Sequence, residues 1–339
     1  MDRIPENALW VRFPRFIGDS VMIHQALAPL RTLGRELVAW GPAPVMELLR
    51  GTAGYAAAVA DPPAKPNAFA MAGLLKAHRA QGVVCLARSQ RATTAALLAR
   101  LPLRVGWSEG MGGLICSRSL RFKSLAGHQQ ARYGELLRAA FPGLPETPPL
   151  PFRPRPDAQA AADALLAQVS FPFAAFSLGA MSANKRLGAA TWIALGRMLL
   201  DQGHSIVLLG STREDLACAR TLRAELGQVH DLAGRTSLAV AAGVIRRAST
   251  LFGNDSALSH LAAACATPTV AAFGPTDERL SAPLGEQVEV VRHDGLACAR
   301  CMSCRCRVAG HPCMEGIRAE DLLAAMPEAA EHGLAERVS

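Results

Sequence analysis

Short, unbroken apolar runs recur along the chain, and stretches of helical spacing lie between them. In the first half the runs cover residues 8–13, 36–40, 82–86 and 104–107, with helical patterns over 19–33 and 91–100. In the second half the predicted strands are 173–178 and 204–209, and the predicted helices are 189–202, 214–226 and 238–247. Buried strands alternating with helices predict a parallel sheet covered on both faces. The sharpest unit comes last. A strand over 250–252 runs into Gly253, Asn254, Asp255 and Ser256, and a helix follows with Leu258, Leu261, Ala262 and Cys265 at i, i+3, i+4 and i+7. Pro268 stops that helix, a strand over 269–273 begins, and Gly274 to Asp277 turn the chain again. Such βαβ units place ligands at the carboxyl ends of their strands, and the free N–H groups of the helix start favour an anion. An ordinary turn capped by Asp255 or Ser256 fits the same pattern.

Between the two halves, residues 141–156 hold seven prolines, which suit neither a helix nor a central strand and predict a stiff linker. The expectation is therefore two α/β domains, 1–150 and 157–318, with a cleft between them. A helical tail over 319–339 would follow, fraying at its end.

Composition narrows the class of function. Of the 339 residues half are apolar and 19% are charged, which suits a globular protein. The first residues lack the apolar core of a signal peptide, and no apolar run is long enough to span a membrane, so a cytoplasmic location is expected. A net charge of +8 favours an acidic partner: nucleic acid, an anionic membrane surface or a phosphorylated substrate. Aromatics are only 5% and no nucleic-acid-binding signature occurs, so nucleic acid is excluded as the partner. Only four of the 36 basic residues are lysines (Lys65, Lys76, Lys123 and Lys185), so a lysine inside a motif stands out.

Three further motifs sit where strands end. Asp19 follows the first strand, where a carboxylate could take a proton from an acceptor hydroxyl or simply cap a helix. Lys185 and Arg186 end the loop that starts at Gly179, a pairing of point charge and planar fork that suits a diphosphate or a solvated basic loop. Glu214 could hold ribose hydroxyls, and equally suits the first turn of a helix without any ligand.

Taken in order, these motifs resemble glycosyltransferase family 9, the lipopolysaccharide heptosyltransferases. The family's opening motif stands here as Gly18-Asp19-Ser20-Val21-Met22, and its second as Asn254-Asp255-Ser256-Ala257-Leu258-Ser259-His260-Leu261. Phe273 to Asp277, the Gly179 to Arg186 loop followed by Trp192, and Leu232 to Leu238 complete the set, with His128 and Tyr133 resembling the end of the family's first domain. The resemblance implies the GT-B architecture, two Rossmann-like domains with parallel sheets facing across a cleft. It also implies inverting, metal-independent sugar transfer with no cofactor, heptose passing from ADP-heptose to a lipopolysaccharide-core acceptor. Asp19 would be the general base. Lys185 and Arg186 would face the diphosphate with Ser256 and Ala257, Glu214 would hold the ribose, and the Thr236 loop would lie against the base. Asp255 and His260 would contact sugar and phosphates, while Arg118, Arg121 and Lys123 would anchor an acidic glycolipid. The enzyme would work in the cytoplasm, peripheral on the inner face of the inner membrane. Ala257 departs from the family's glycine, and its methyl group would crowd the approach of phosphate. That departure leaves open an alternative, a catalytically degraded protein of the same fold that binds nucleotide-sugar or glycolipid without turnover, with a Cys-rich interaction or metal module.

Five of the nine cysteines, Cys298, Cys301, Cys304, Cys306 and Cys313, crowd one segment. Their density would suit zinc or an iron–sulfur centre, but two well-separated Cys-x2-Cys pairs are lacking, and no metal is assigned.

Overall fold

The computed structural model describes residues 4–62 and 67–327, so Lys65 and the end of the expected helical tail lie outside the described residues. The chain divides into two units, Met1–Arg155 and Pro156–Ser339.

Unit 1 alternates strand and helix as β1 (Leu9–Arg12), α1 (Ile17–Ala26), β2 (Leu37–Gly41), α2 (Ala43–Leu49), β3 (Ala57–Ala60), α3 (Ala68–Ala77), β4 (Gly82–Cys85), α4 (Gln90–Leu98), β5 (Leu103–Trp107), α5 (Gly112–Ile115), β6 (Arg118–Leu120) and α6 (Gln129–Ala140). All six strands are parallel, in the order β3-β2-β1-β4-β5-β6. β1, β2 and β4 are buried along their whole length, as expected of strands covered on both faces. Trp10 and Trp40 meet edge to face at 6.1 Å in the core, each side chain contributing about 3 kcal/mol of apolar burial.

Two expectations need correction here. The helix predicted over 19–33 starts earlier and is broken: α1 ends at Ala26, and a 3-10 turn (Ala28–Leu33) carrying Pro29 in its first turn continues the chain. The proline-rich segment is also partly packed. Leu150 donates its N–H to the Gln25 carbonyl at 3.1 Å, Phe152 is buried, and the His24 ring bridges the Tyr55 hydroxyl (2.9 Å) and the Pro151 carbonyl (3.2 Å).

Unit 2 runs α7 (Pro156–Leu166), β7 (Phe173–Ser177), α8 (Ala189–Asp201), β8 (Ser205–Leu209), α9 (Arg213–Leu226), β9 (His230–Asp231), α10 (Leu238–Arg247), β10 (Thr250–Asn254), α11 (Ala257–Ala264), β11 (Thr269–Ala272), α12 (Glu278–Ser281), β12 (Val288–Val291), α13 (Pro312–Glu315) and α14 (Ala319–Ala324). Its parallel sheet has the order β12-β11-β10-β7-β8-β9, which is the unit 1 order read from the other edge. Phe176 packs on Trp192 at 4.9 Å and edge to face on Phe252 at 6.0 Å, while α14 folds back onto α8. Both sheets therefore carry the 3-2-1-4-5-6 Rossmann order, whose ligand crevice lies where the order reverses. That point falls between β1 and β4 in unit 1, and between β7 and β10 in unit 2.

Candidate functional site

At the unit 1 switch point a cavity of about 420 Å3 is lined by Arg12, Asp19, Asp61, Arg88, Arg91 and Tyr133, among others. Asp19 is the third residue of α1, whose N-cap is Phe16, so Asp19 is not the capping residue. Its half-buried carboxylate faces the cavity. Burial first, and then the Asp19 charge, push the Tyr133 phenol well above its ordinary range, and its oxygen accepts a hydrogen bond from Gln129 Nε2 at 2.6 Å. Arg12, at the end of β1, grips Asp61 with both terminal guanidinium nitrogens (Nη2 to Oδ2, 2.9 Å) and lies 4.7 Å from the Trp40 ring centre. This bidentate pair escaped the sequence reading, where its one signal was a charge closing an apolar strand. Arg118, Arg121 and Lys123 are exposed and do not line the cavity. Arg118 instead donates to the Ala140 carbonyl and stacks on Phe141.

At the unit 2 switch point the loops after β7 and β10 meet. Lys185 Nζ lies 2.6 Å from Asp255 Oδ2, and the Thr276 hydroxyl donates to the same oxygen at 2.7 Å. Asp255 is thus a fixed bracket that holds the ammonium of Lys185 in place. Ser256 is the N-cap of α11 without a side-chain capping bond, and its hydroxyl lies 3.3 Å from that of Ser177. The first turn of α11 therefore keeps its amide donors for an anion. Ala257, the first helical residue, has no positive φ, so the backbone itself does not demand glycine there. His260 sits one turn on and is buried.

Asn254, fully buried, organises this loop pair. Its amide donates to the Leu178 carbonyl (3.0 Å) and its oxygen accepts from the Leu187 N–H (2.9 Å), closing both ends of the 178–187 loop. Arg186 points away from Lys185's task. Its guanidinium binds Asp215 Oδ1 at 2.9 Å and the Ala180 carbonyl at 2.9 Å. Asp215 closes a capping box with Thr212 at the start of α9 and accepts from the Ser211 and Thr212 amides at 2.9 and 3.0 Å. Burial pushes its carboxyl up, but those amides and Arg186 hold it below the usual range. A Cβ at Gly179 would come within 2.9 Å of this carboxylate, which explains the glycine by close approach. The Thr-x-x-Asp spacing was the overlooked signal for Asp215.

Arg186→Ala is therefore expected to act on stability. It leaves the Asp215 side chain, 3% exposed, without its counter-charge, at a cost of about 3 kcal/mol or more. Because the folded pKa of Asp215 is depressed, its contribution is complete above the ordinary carboxylate range and is lost as pH falls through the folded value. Thermal melts of the variant should start lower at neutral pH and lose less on acidification than wild type.

Glu214 is exposed in the first turn of α9, held ionised by its own backbone amide, the Thr212 hydroxyl and Arg186, and so able to accept from hydroxyls. Thr236 lies half-buried in the loop before α10, and that loop leans on the same region through the Gly234 N–H to the Gly210 carbonyl at 2.8 Å. The cysteine segment braces the cluster: Asn184 donates to the Ser303 carbonyl at 2.7 Å, and the Met302 N–H to the Pro275 carbonyl at 2.8 Å. All five of its cysteines are free thiols. Among the described residues, no three His, Cys, Asp or Glu side chains are grouped to hold a metal ion.

Two Rossmann-like units of this kind define the GT-B class of glycosyltransferase fold. The chain belongs to glycosyltransferase family 9 (heptosyltransferase), whose model matches residues 72–311. That span includes Lys185, Glu214, Thr236 and Asp255 to His260, whereas Asp19 precedes it. Lipopolysaccharide heptosyltransferase 2 of Escherichia coli (strain K12) is 34% identical over 102 residues, 29% of this chain and 29% of that protein. The chain thus matches under a third of the length of such curated relatives. The structure of E. coli ADP-heptose lps heptosyltransferase II superposes with a TM-score of 0.76 at 21% identity, over 98% of this chain and 100% of that one. E. coli heptosyltransferase WaaC, solved with ADP, gives 0.73 at 19% identity over 94% and 98%. At those identities the likeness is one of fold.

Proposed function

We propose that the protein is an inverting glycosyltransferase that moves heptose from ADP-heptose to an acidic sugar of a lipopolysaccharide core. It works at the cytoplasmic face of a membrane and draws its positive charge from its own residues. The observation that carries this reading is the Lys185–Asp255–Thr276 cluster beside the open first turn of α11. A fixed ammonium and a row of amide donors are what a departing diphosphate requires. The ADP-heptose donor is supported by what the solved relatives are named for or hold.

In this mechanism Asp19 takes the proton of an acceptor hydroxyl. The hydroxyl oxygen forms its bond to the anomeric carbon on the face opposite ADP, and the bond from that carbon to the ADP oxygen breaks. The electron pair leaves with the diphosphate, where Lys185 and the α11 amides stabilise it. Glu214 accepts from the ribose hydroxyls, and the Thr236 loop borders the base. Asp255 acts through Lys185, while Arg88 and Arg91 face the acidic acceptor.

The test is ADP release from ADP-heptose with and without a core oligosaccharide, with UDP-sugars as controls. Acceptor-dependent ADP release is expected. ADP binding with no acceptor-dependent release from any donor would favour instead a protein that binds nucleotide-sugar or glycolipid without turnover.

A further inference from the structure

The helix starts of α3 and α5 leave large apolar side chains in solvent. Phe69 in the first turn of α3 is 75% exposed, and Met111 and Leu114 at the start of α5 are 60% and 86% exposed. α3, α4 and α5 each follow a strand of the same parallel sheet, so their first turns lie at the carboxyl end of that sheet, and α4 packs on both of the others. The Gln90 amide reaches the Glu109 carbonyl at 3.4 Å, and the Lys123 N–H donates to Glu109 Oε1 at 2.9 Å. Those two bonds join the α4 start, the α5 turn and the segment after β6 into one surface.

Cations border the apolar tips. Arg91, Arg121 and Lys123 are all exposed there, while the nearby acid Glu109 is already engaged by the Lys123 amide. The surface is continuous with the Asp19 cavity, because Met71, Arg91 and Phe122, neighbours of these tips, line it.

We propose that this end of unit 1 is a docking face for an anionic phospholipid membrane. Phe69, Met111 and Leu114 enter the headgroup boundary, and Arg121 and Lys123 meet the phosphates. Isolated large apolar side chains standing among cations suit an interface that is apolar below and anionic above. A protein partner would need a broader, closely packed apolar patch. The inference extends the reading of a membrane-borne acceptor: a docked face would bring lipid-linked sugar to the mouth of the cavity that holds Asp19.

The experiment is sedimentation of the full chain with phosphatidylethanolamine–phosphatidylglycerol vesicles, and with phosphatidylcholine vesicles for comparison. Wild type should bind the anionic vesicles and be partly released by salt. The double variant Met111→Ser, Leu114→Ser should bind them at least about tenfold more weakly, as expected for the loss of two inserted apolar side chains. ADP affinity and turnover on a soluble, delipidated acceptor should be unchanged, while turnover on acceptor embedded in vesicles falls. Arg121→Ser with Lys123→Ser should remove most of the salt-sensitive part of binding. No binding by wild type, or equal binding by the Met111–Leu114 variant, overturns the proposal. If no acceptor is glycosylated but vesicle binding still depends on Met111 and Leu114, the docking face stands and the transferase reading fails.

Discussion

Asp19→Asn is expected to lower turnover by about two to four orders of magnitude, the contribution of a positioned general base, with ADP affinity unchanged. The substitution keeps the size and hydrogen-bonding reach of the side chain and removes its charge and its capacity to take a proton. The Lys185–Asp255–Thr276 cluster, proposed above to hold the donor, belongs to the other unit, so nucleotide binding has no reason to respond. Stability should change little: Phe16, not Asp19, is the N-cap of α1, and loss of one first-turn charge costs under about 1 kcal/mol. A residue that served only the helix dipole would show the reverse, a slightly lower melting temperature with turnover intact. Steady-state kinetics with a saturating donor, alongside ADP titration calorimetry, separates the two.

Lys185→Ala is expected to weaken ADP binding by roughly tenfold to a hundredfold, the equivalent of about 1.5–3 kcal/mol for a hydrogen bond to a charged group. Adenosine, which has no diphosphate, should bind the variant and wild type alike. Thermal stability should fall less than in Arg186→Ala, because Asp255 is the more exposed carboxylate (9% against 3%) and keeps its bond to Thr276. Lys185→Arg should rescue only in part, since the Asp255 bracket is set for a compact ammonium at 2.6 Å and not for a planar fork. The contrast with Arg186→Ala is informative. Neighbouring cations in one loop should differ in their main signature, affinity for Lys185 and stability for Arg186, and calorimetry paired with melting curves reads both. Equal ADP affinity in wild type and Lys185→Ala would move the diphosphate contact elsewhere.

Much of the architecture was legible because parallel strands leave a simple signature. The continuous runs that became β1, β2, β4, β7, β8 and β10 are buried on both faces, and their helices carry one apolar stripe. Among the elements that were missed, which include the longer helices α3, α6 and α7, the shortest lack that contrast. β3 and β6 are short edge strands with mixed burial, and α5 is a single turn of Gly, Leu and Ile. Within the site, Lys185 and Asp255 were legible as loop residues at strand ends. Arg12–Asp61 and Arg186–Asp215 were not, since each pair joins residues far apart in sequence, and only the fold shows that their charges meet. The same limit hid Asn254, whose motif position suggested ligand contact but whose amide is used up holding the 178–187 loop. The family resemblance suggested Arg118, Arg121 and Lys123 as acceptor anchors. The cations that line the cavity, Arg88 and Arg91, follow β4 at the switch point and could have been chosen from strand order.

The most direct test of the account is the mass of a core-oligosaccharide acceptor after incubation with ADP-heptose and the protein. The account predicts an acceptor heavier by one heptose residue, with one ADP released per residue added, and no mass gain with Asp19→Asn although ADP still binds. An acceptor of unchanged mass with the wild-type protein, in the presence of any ADP- or UDP-linked sugar, would contradict it.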